Sequence, residues 1–310
     1  MPAQTLKEIA NDKAKKRPEL VDYLTEEAPI LEKLKFIEAS HGLWNVEEVL
    51  TGIKGPSFVD LGAPLPSMEA RTGLETTYVS VLGGEIEVSK DKAQQFGGAP
   101  QYFARREKPV LTKAGSDTET ALYEKYWRAA AIADSKRYTK AGGTAASGDA
   151  TGLYSIMIVR FDEQVNTGIF DPACFDNGKL VEINPLNGGN AYHLRTQPGV
   201  TGYGVEYRGR FGWQLLDPNK TVYGIVNISA TKLATMDMID DAISSVRGKP
   251  TNTMIMGHPR ILNKVFSSLK RANVQFVNGD NNLKMAVTHY NDIPILGSYN
   301  LNEGNEAAVS

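Results

Sequence analysis

Apolar positions change their spacing several times along the chain, and each change predicts a different kind of element. In residues 1–50, Leu6, Ile9, Leu20, Leu24, Leu31, Leu34 and Ile37 punctuate Lys- and Glu-rich sequence, with Pro18 and Pro29 as breaks. That pattern predicts two or three short helices with no core of their own, a segment that docks on something else. The spacing then becomes extended. Residues 57–61, 78–82 and 85–89 read as strands, the last two separated by Gly83-Gly84. The intervening 62–73 holds two prolines and Met68-Glu69-Ala70-Arg71, so a pair of strands joined across it would be a long hairpin projecting from the body. An isolated two-stranded hairpin is at best marginally stable and needs a neighbour to lie on.

Residues 116–139 carry the clearest helical signal. Ser116-Asp117-Thr118-Glu119 reads as a capping box, Leu122, Tyr126, Ala129 and Ala133 form one apolar stripe, and Tyr123, Trp127 and Ala130 widen it. Gly142-Gly143 ends the pattern. At ~1.5 Å per residue this helix spans about 35 Å. Residues 144–230 are strand-rich, with an apolar run at 153–161, a Gly/aromatic ribbon at 202–213 and a buried-type strand at 221–228. Residues 231–310 return to mixed patterning. Met236, Ile239, Ile243 and Val246 space a helix, and 253–257 is a short core strand. Pro259 opens a second helix with Leu262, Val265, Phe266 and Leu269 on one face, and strands follow at 274–277, 286–288 and 293–296. No internal repeat is present.

Composition narrows the function. The 310 residues include 34 Lys+Arg against 36 Asp+Glu, a net charge of −2, which excludes a protein that grips nucleic acid by bulk charge. With 29 Gly and 15 Pro the chain is not of low complexity. A single cysteine, Cys174, excludes an internal disulfide framework and a multi-cysteine metal cluster. The charged N-terminus lacks an apolar signal region and no apolar run approaches the ~20 residues of a membrane span, so a soluble, cytoplasmically made chain is expected.

Candidate chemistry is sparse. No Walker loop, Rossmann fingerprint, nucleophile elbow or His-Glu-x-x-His occurs. Gly248-Lys249-Pro250-Thr251 lacks phosphate-loop glycine spacing, and Pro250 removes an N–H. His41, His193, His258 and His289 are scattered, without local metal-ligand spacing; His258, before Pro259, suits a capping or turn role. Cys174 sits between Asp171 and Asp176, which would raise its thiol pKa rather than activate it. Asp162 and Glu163, adjacent on an extended segment, face opposite sides. The Gly/aromatic ribbon could stack bases or sugars, but a packed β-surface explains it more simply. The run Lys13-Ala14-Lys15-Lys16-Arg17 could touch a phosphate backbone, or be a solvated helix face flanked by Glu8, Asp12 and Glu19.

The order of elements is more informative than any motif. A docking arm, a projecting hairpin, one long helix, a strand-rich lobe and a final helix–strand–helix unit together resemble the tailed-bacteriophage major capsid protein of the Hong Kong 97 type, nearest the epsilon-fifteen-like (gp-seven-like) podophage family. Gly84-Glu85-Ile86-Glu87-Val88-Ser89-Lys90 resembles the strand leaving the E-loop, and Thr120-Ala121-Leu122-Tyr123-Glu124-Lys125-Tyr126 the spine helix. Phe211-Gly212-Trp213-Gln214-Leu215-Leu216-Asp217, followed by 221–228, resembles a strand pair of the family. Met254-Ile255-Met256-Gly257-His258-Pro259, Tyr290-Asn291-Asp292-Ile293-Pro294-Ile295-Leu296 and Asn302-Glu303-Gly304-Asn305-Glu306-Ala307 resemble A-domain and tail segments. The resemblance covers roughly residues 50–305 and rests on collinearity. His258 departs from it, standing where an Asn is common in the family.

The resemblance implies an α+β fold of the Hong Kong 97 type: an N-terminal arm at 1–50, an E-loop hairpin at 51–98, a P-domain at 99–230 with its spine helix at 116–139, and an A-domain with returning strands at 231–310. It implies a non-enzymatic major capsid protein in the virion, made in the host cytoplasm, with no cofactor and no membrane partner. Its copies would form hexamers and pentamers of an icosahedral shell around double-stranded DNA, without sequence-specific binding, and meet a portal and cement or scaffolding proteins. Pro64, Met68, Glu69 and Arg71 would be the inter-subunit hairpin tip. Leu122, Tyr126, Trp127, Ala129 and Ala133 would be the spine core, and Lys13, Lys15, Lys16 and Arg17 an inner-face basic run. The fold's prototype cross-links subunits through an E-loop lysine, but no Lys lies between Lys54 and Lys90 here, so no such cross-link is expected. An encapsulin-type compartment and a β-rich hydrolase are the alternative readings.

Overall fold

The short helices of the charged N-terminal segment find their docking surface on their own chain. The computed structural model describes residues 3–13, 17, 19–145, 152–175, 181–266 and 288–309, without the side chains of Cys174 and Phe175. Strand β1 (Gln4–Thr5) is followed by three short helices, α1 (Leu6–Lys13), α2 (Glu19–Thr25) and α3 (Pro29–Lys33). Leu6, Ile9, Leu20, Leu24, Ile30, Leu31 and Leu34 are each at most 1% exposed. Strand β2 (Lys35–Glu38) continues into a sheet, so an arm reaching as far as residue 50 is corrected: its helices belong to the body.

A hairpin of β3 (Trp44–Lys54) and β4 (Glu69–Tyr78) leaves the body and returns through β5 (Ser80–Ser89) and α4 (Lys90–Gln95). Next comes one long helix, α5, running through Ala99–Ala121, Leu122–Arg128 and Ala129–Ile132, about 50 Å at ~1.5 Å per residue. It begins seventeen residues before the expected 116, after Gly98 (φ 108°), with Pro100 in its first turn. Pro109 is inside it but exposed, so the carbonyl that Pro cannot bond faces water. The expected capping box therefore lies mid-helix. Ser116 Oγ donates back to the Thr112 carbonyl at 3.2 Å. Glu119 caps a different helix, accepting the Ile30 N–H of α3 at 3.0 Å and Asn300 Nδ2 at 2.7 Å. A local pattern cannot distinguish a cap for its own helix from one for a neighbour.

The middle of α5 also corrects the predicted stripe. Leu122–Arg128 is a π-helical segment, with i→i+5 bonding, so inward positions advance by five there: Leu122 to Trp127, and Tyr123 to Arg128. Leu122, Tyr123, Trp127 and Ala131 are buried, Tyr126 is half-buried, and Ala129 and Ala133 are exposed. The helix stops at Ile132, and β6 (Tyr138–Lys140) follows before Gly142 is reached.

Two sheets flank α5. The strand-rich middle gives β7 (Tyr154–Arg160), β8 (Asn166–Phe170), β9 (Val181–Pro185), β10 (Tyr192–His193), β11 (Thr201–Leu215) and β12 (Val222–Ile228); β13 (Thr253–Gly257), β14 (His289–Tyr290) and β15 (Ile293–Gly297) come after. The first sheet runs β1-β2-β8-β11-β10, and β5 and β9 also pair with β11. The Gly/aromatic ribbon is thus the long central β11, and Gly204 to Phe211 pair with Glu87 to Ser80 of β5. The second sheet runs β14-β15-β13-β7-β12-β6. Its central β7 is buried from Tyr154 to Val159, as a strand covered on both faces should be. Helices Met236–Ser245 and Pro259–Val265 cover its outer face, and His258 caps the latter through Nδ1, which accepts the Arg260 N–H at 3.2 Å. The residues expected as strands at 57–61 are not a strand but the turn region of the hairpin. Those expected at 274–277 and 286–288 lie outside the described residues, apart from Thr288.

Gly115 shows how tightly α2 lies on α5: a Cβ there would run into the Leu24 carbonyl oxygen. Alanine at a mid-helix glycine normally stabilises by up to ~1 kcal/mol. Here Gly115→Ala is expected to destabilise by roughly 1–3 kcal/mol, the cost of overpacking, in thermal or denaturant unfolding of the unassembled subunit.

Candidate inter-subunit surface

Among the described residues, β3 and β4 pair only with each other, from Trp44↔Tyr78 to Lys54↔Glu69, with an irregularity between Leu50 and Gly52. The eleven residues of β3 make the ribbon about 36 Å long. Side chains alternate, so Trp44, Val46, Glu48 and Leu50 share a face with Thr72, Leu74, Thr76 and Tyr78. The extra residue at the bulge keeps Ile53, opposite Ala70, on that same face. The opposite face carries Asn45, Glu47, Val49, Gly73, Glu75 and Thr77.

The apolar face of this ribbon is open. Leu50, Ile53, Leu74 and Tyr78 are 57–74% exposed, and Phe58 and Leu61, in the turn region between Lys54 and Glu69, are fully exposed. A run of uncovered large apolar groups on this scale marks an interaction surface. Electrostatics point the same way. Glu47 lies directly opposite Glu75, a like-charge cross-strand pair that weakens an isolated hairpin. From Trp44 to Tyr78 five carboxylates (Glu47, Glu48, Asp60, Glu69, Glu75) face two cations, Lys54 and Arg71.

The root, by contrast, is firmly held. Asn45 is buried; its Oδ1 accepts the Ser40 N–H at 3.0 Å, and its Nδ2 donates to Gln214 Oε1 at 2.6 Å. Gln214 in turn donates to the Gln164 carbonyl. The Val79 N–H bonds the Leu43 carbonyl at 2.9 Å, and His41 stacks on Trp44 with centroids 5.7 Å apart. Beside the root, between α1–α3, α5 and β11, an apolar cleft of about 370 Å³ is walled by Leu31, Phe36, Val81, Tyr126 and Phe211, with Lys125 at its edge.

A second cluster, inside the body, ties down the C-terminal residues. Arg128 Nε donates to Glu306 Oε2 at 3.1 Å and its Nη2 to the Ala307 carbonyl at 3.0 Å. Ser155 Oγ also donates to Glu306, Tyr123 donates to the Ser155 carbonyl, and Glu124 stands 3.6 Å from Arg128. Asn227 exchanges two hydrogen bonds with Val309. Burial pushes the Glu306 carboxyl up to about 7, and the Arg128 guanidinium opposes that shift. Glu306 and Arg128 are both buried and do not line the cleft at the root, so the cluster is a clamp rather than an acid/base pair that could reach a substrate.

With this geometry in hand, comparison with solved structures is informative. No family model matches the chain, and no curated protein matches it in sequence. In three dimensions it resembles a chain in a cryo-EM structure of bacteriophage Epsilon15, with a TM-score of 0.58 at 16% identity, over 89% of this chain and 88% of that one. The bacteriophage JBD30 capsid gives 0.49 at 9% identity, over 86% and 88%, and the JBD30 procapsid 0.44 at 10%, over 96% and 96%. The fold is α+β, and it is shared with the Epsilon15 structure over most of both chains.

The expected site residues fall in different places. Pro64 and Met68 are exposed in the hairpin's turn region, Glu69 opens β4, and Arg71 is engaged by Glu69 at 2.7 Å. Lys13 pairs with Glu38, while Arg17 pairs with Glu19 at 3.0 Å and with Glu107; Lys15 and Lys16 lie outside the described residues. The expected hairpin at 51–98 begins seven residues earlier, at Trp44, and ends at Tyr78. The alternation of Trp44, Val46 and Leu50 could have revealed this, but Glu47 and Glu48 disguise it within a charged stretch.

The clamp predicts a pH dependence. Because the folded value of Glu306 lies above the ordinary carboxylate value, its protonated form favours the folded state. The associated stability is complete at acid pH and is lost as pH rises through about 7, by on the order of 3 kcal/mol. Hydrogen exchange of residues 301–309, corrected for intrinsic rates, is expected to lose protection across that window, and Glu306→Gln to flatten the profile. Identical protection at pH 5 and pH 8 in the parent chain would contradict this.

Proposed function

We propose that this chain is the major capsid protein of a tailed phage. Copies of it would assemble through hexamers and pentamers into an icosahedral shell around double-stranded DNA, with the 44–78 ribbon as the E-loop and α5 as the spine of the P-domain. One observation carries the reading: a well-packed body holds, on a pinned root, a ribbon whose apolar face is left uncovered, in a chain that shares its fold with a bacteriophage Epsilon15 structure. A second copy is the natural cover. Heterologous contacts that close on themselves build rings, and each subunit can then bury far more than the ~1,600 Å² of a standard interface. Stability and assembly become one equilibrium.

The charge distribution supports a wall that encloses DNA without gripping it. The chain is nearly neutral, and Lys13 and Arg17 spend their charge on Glu38, Glu19 and Glu107. No residue from 55 to 89 is a lysine, which supports a shell held by non-covalent contacts. A portal and a scaffolding or cement protein would be the other partners in the virion.

Negative-stain electron microscopy of the purified full chain tests the reading, with closed icosahedral particles as the expected result. Replacing residues 55–68 by a short turn should leave the melting of the unassembled subunit unchanged and abolish closed shells; normal shells from that variant would remove the ribbon from the assembly contacts. On denaturing gels, particles should run as monomer, and a lysine-dependent covalent ladder would contradict the non-covalent wall.

A further inference from the structure

The ribbon cannot cover its own turn region. Ten register pairs run from Trp44↔Tyr78 to Lys54↔Glu69, which carries residues 55–68 some 30 Å from the root. Phe58 and Leu61 are fully exposed there, and Asp60 between them has no side-chain partner among the described residues. At the root of the same ribbon lies the complementary feature. The 370 Å³ cleft is mostly apolar, and Lys125, exposed at its edge, forms no ion pair among the described residues. Its other charged lining residue, Asp117, is already paired with Lys113 at 2.6 Å.

Two further clefts fit the turn region less well. The one between the start of α5 and β11 holds Arg17 and Glu107, which neutralise each other. The one along β5 is smaller, about 210 Å³, and carries both signs of charge, Lys113 and Arg208 against Asp117 and Glu85, with Lys113 closed on Asp117. The root cleft joins an apolar wall to a cation that forms no ion pair among the described residues, and Val81, 55% exposed, lines it beside the ribbon's root.

We propose that the root cleft receives the turn region of a second copy's hairpin, with Phe58 and Leu61 entering between Leu31, Phe36, Tyr126 and Phe211, and Asp60 meeting Lys125. A contact from one copy's ribbon end to the next copy's ribbon root is head-to-tail. Repeated with a fixed rotation it closes into a ring, which is the geometry a hexamer or pentamer needs. A buried aromatic contributes 150–250 Å² of contact area, so Phe58 supplies the adhesion and the ion pair selects the register.

This inference rests on the shell reading, and a charge-reversal cycle in the full-length chain separates the two. The critical concentration for assembly is followed by light scattering, and the folding of each unassembled variant by its thermal melt. Asp60→Lys and Lys125→Asp are each expected to raise the critical concentration about tenfold, and the double variant to return to within about threefold of the parent. Phe58→Ser should block assembly without shifting the melt, since Phe58 is fully exposed in the subunit. Single variants that assemble like the parent, or a double variant as impaired as the product of the singles, would overturn the tip-to-root contact while leaving shell formation standing. A parent chain that stays monomeric at every concentration would overturn the shell reading and the contact together.

Discussion

Trp127 is the residue on which the two halves of the molecule turn. It is completely buried where α5 crosses between the sheets, edge-on to Trp213 at 5.4 Å and to Phe161 at 6.1 Å; Phe36 closes on Trp213 from the other side at 6.1 Å. One aromatic cluster thereby joins β2 and β11 of the first sheet to the edge of β7 in the second. Burying an indole of this size contributes on the order of 4–6 kcal/mol of transfer free energy. The Trp127 indole N–H has no hydrogen-bond partner among the described residues, so packing rather than hydrogen bonding fixes its place. The π-helical segment is what aims it. A regular helix would carry the stripe from Leu122 to Tyr126 and Ala129, but the wider turn brings Trp127 and Ala131 inward instead.

A body stiffened in this way can hold a ribbon that is not stable alone. The Asn45–Gln214 pair and the Val79–Leu43 bond anchor both strands of the hairpin at one end, where they enter the sheet. Beyond that point the ribbon is paired, among the described residues, by its own ladder alone, and Glu47 opposite Glu75 works against it. The division of labour is physical. Elements packed against Trp127 gain their stability within the subunit, whereas the ribbon gains its own from what lies on its apolar face. The buried carboxylates serve the first group. Glu119 ties α3 and Asn300 to α5, and Glu306 ties residues 306–307 to Arg128, so segments far apart in the sequence are fastened to one helix.

Much of this was legible in the residues. The apolar run at 153–161 and the pattern at 253–257 mark strands because a strand covered on both faces tolerates unbroken apolar sequence and these runs are short and rich in β-branched residues. Pro259 after His258 marks a helix start because proline suits a position whose N–H is unbonded. Glycines alternating with aromatics mark β11 as a strand crossed closely by its neighbours. The candidate surface was legible as a projecting segment with Pro64 and Met68 near its end, but not in its limits. Phe58, Val59 and Leu61 imitate a strand, while the true strand at 44–54 is masked by Glu47 and Glu48.

By itself, then, the sequence determined which segments are apolar with period two or period 3.6 and where the chain must turn. Those properties depend on neighbours a few residues away. Tertiary structure alone decided the rest. It made Glu119 a cap for α3 rather than for its own helix, exposed Ala129 and Ala133, folded the charged N-terminal helices onto the body, and set Lys125 beside an apolar cleft some 30 Å from the hairpin's end. Each of these depends on contacts between residues tens to hundreds of positions apart, and local periodicity carries no information about them.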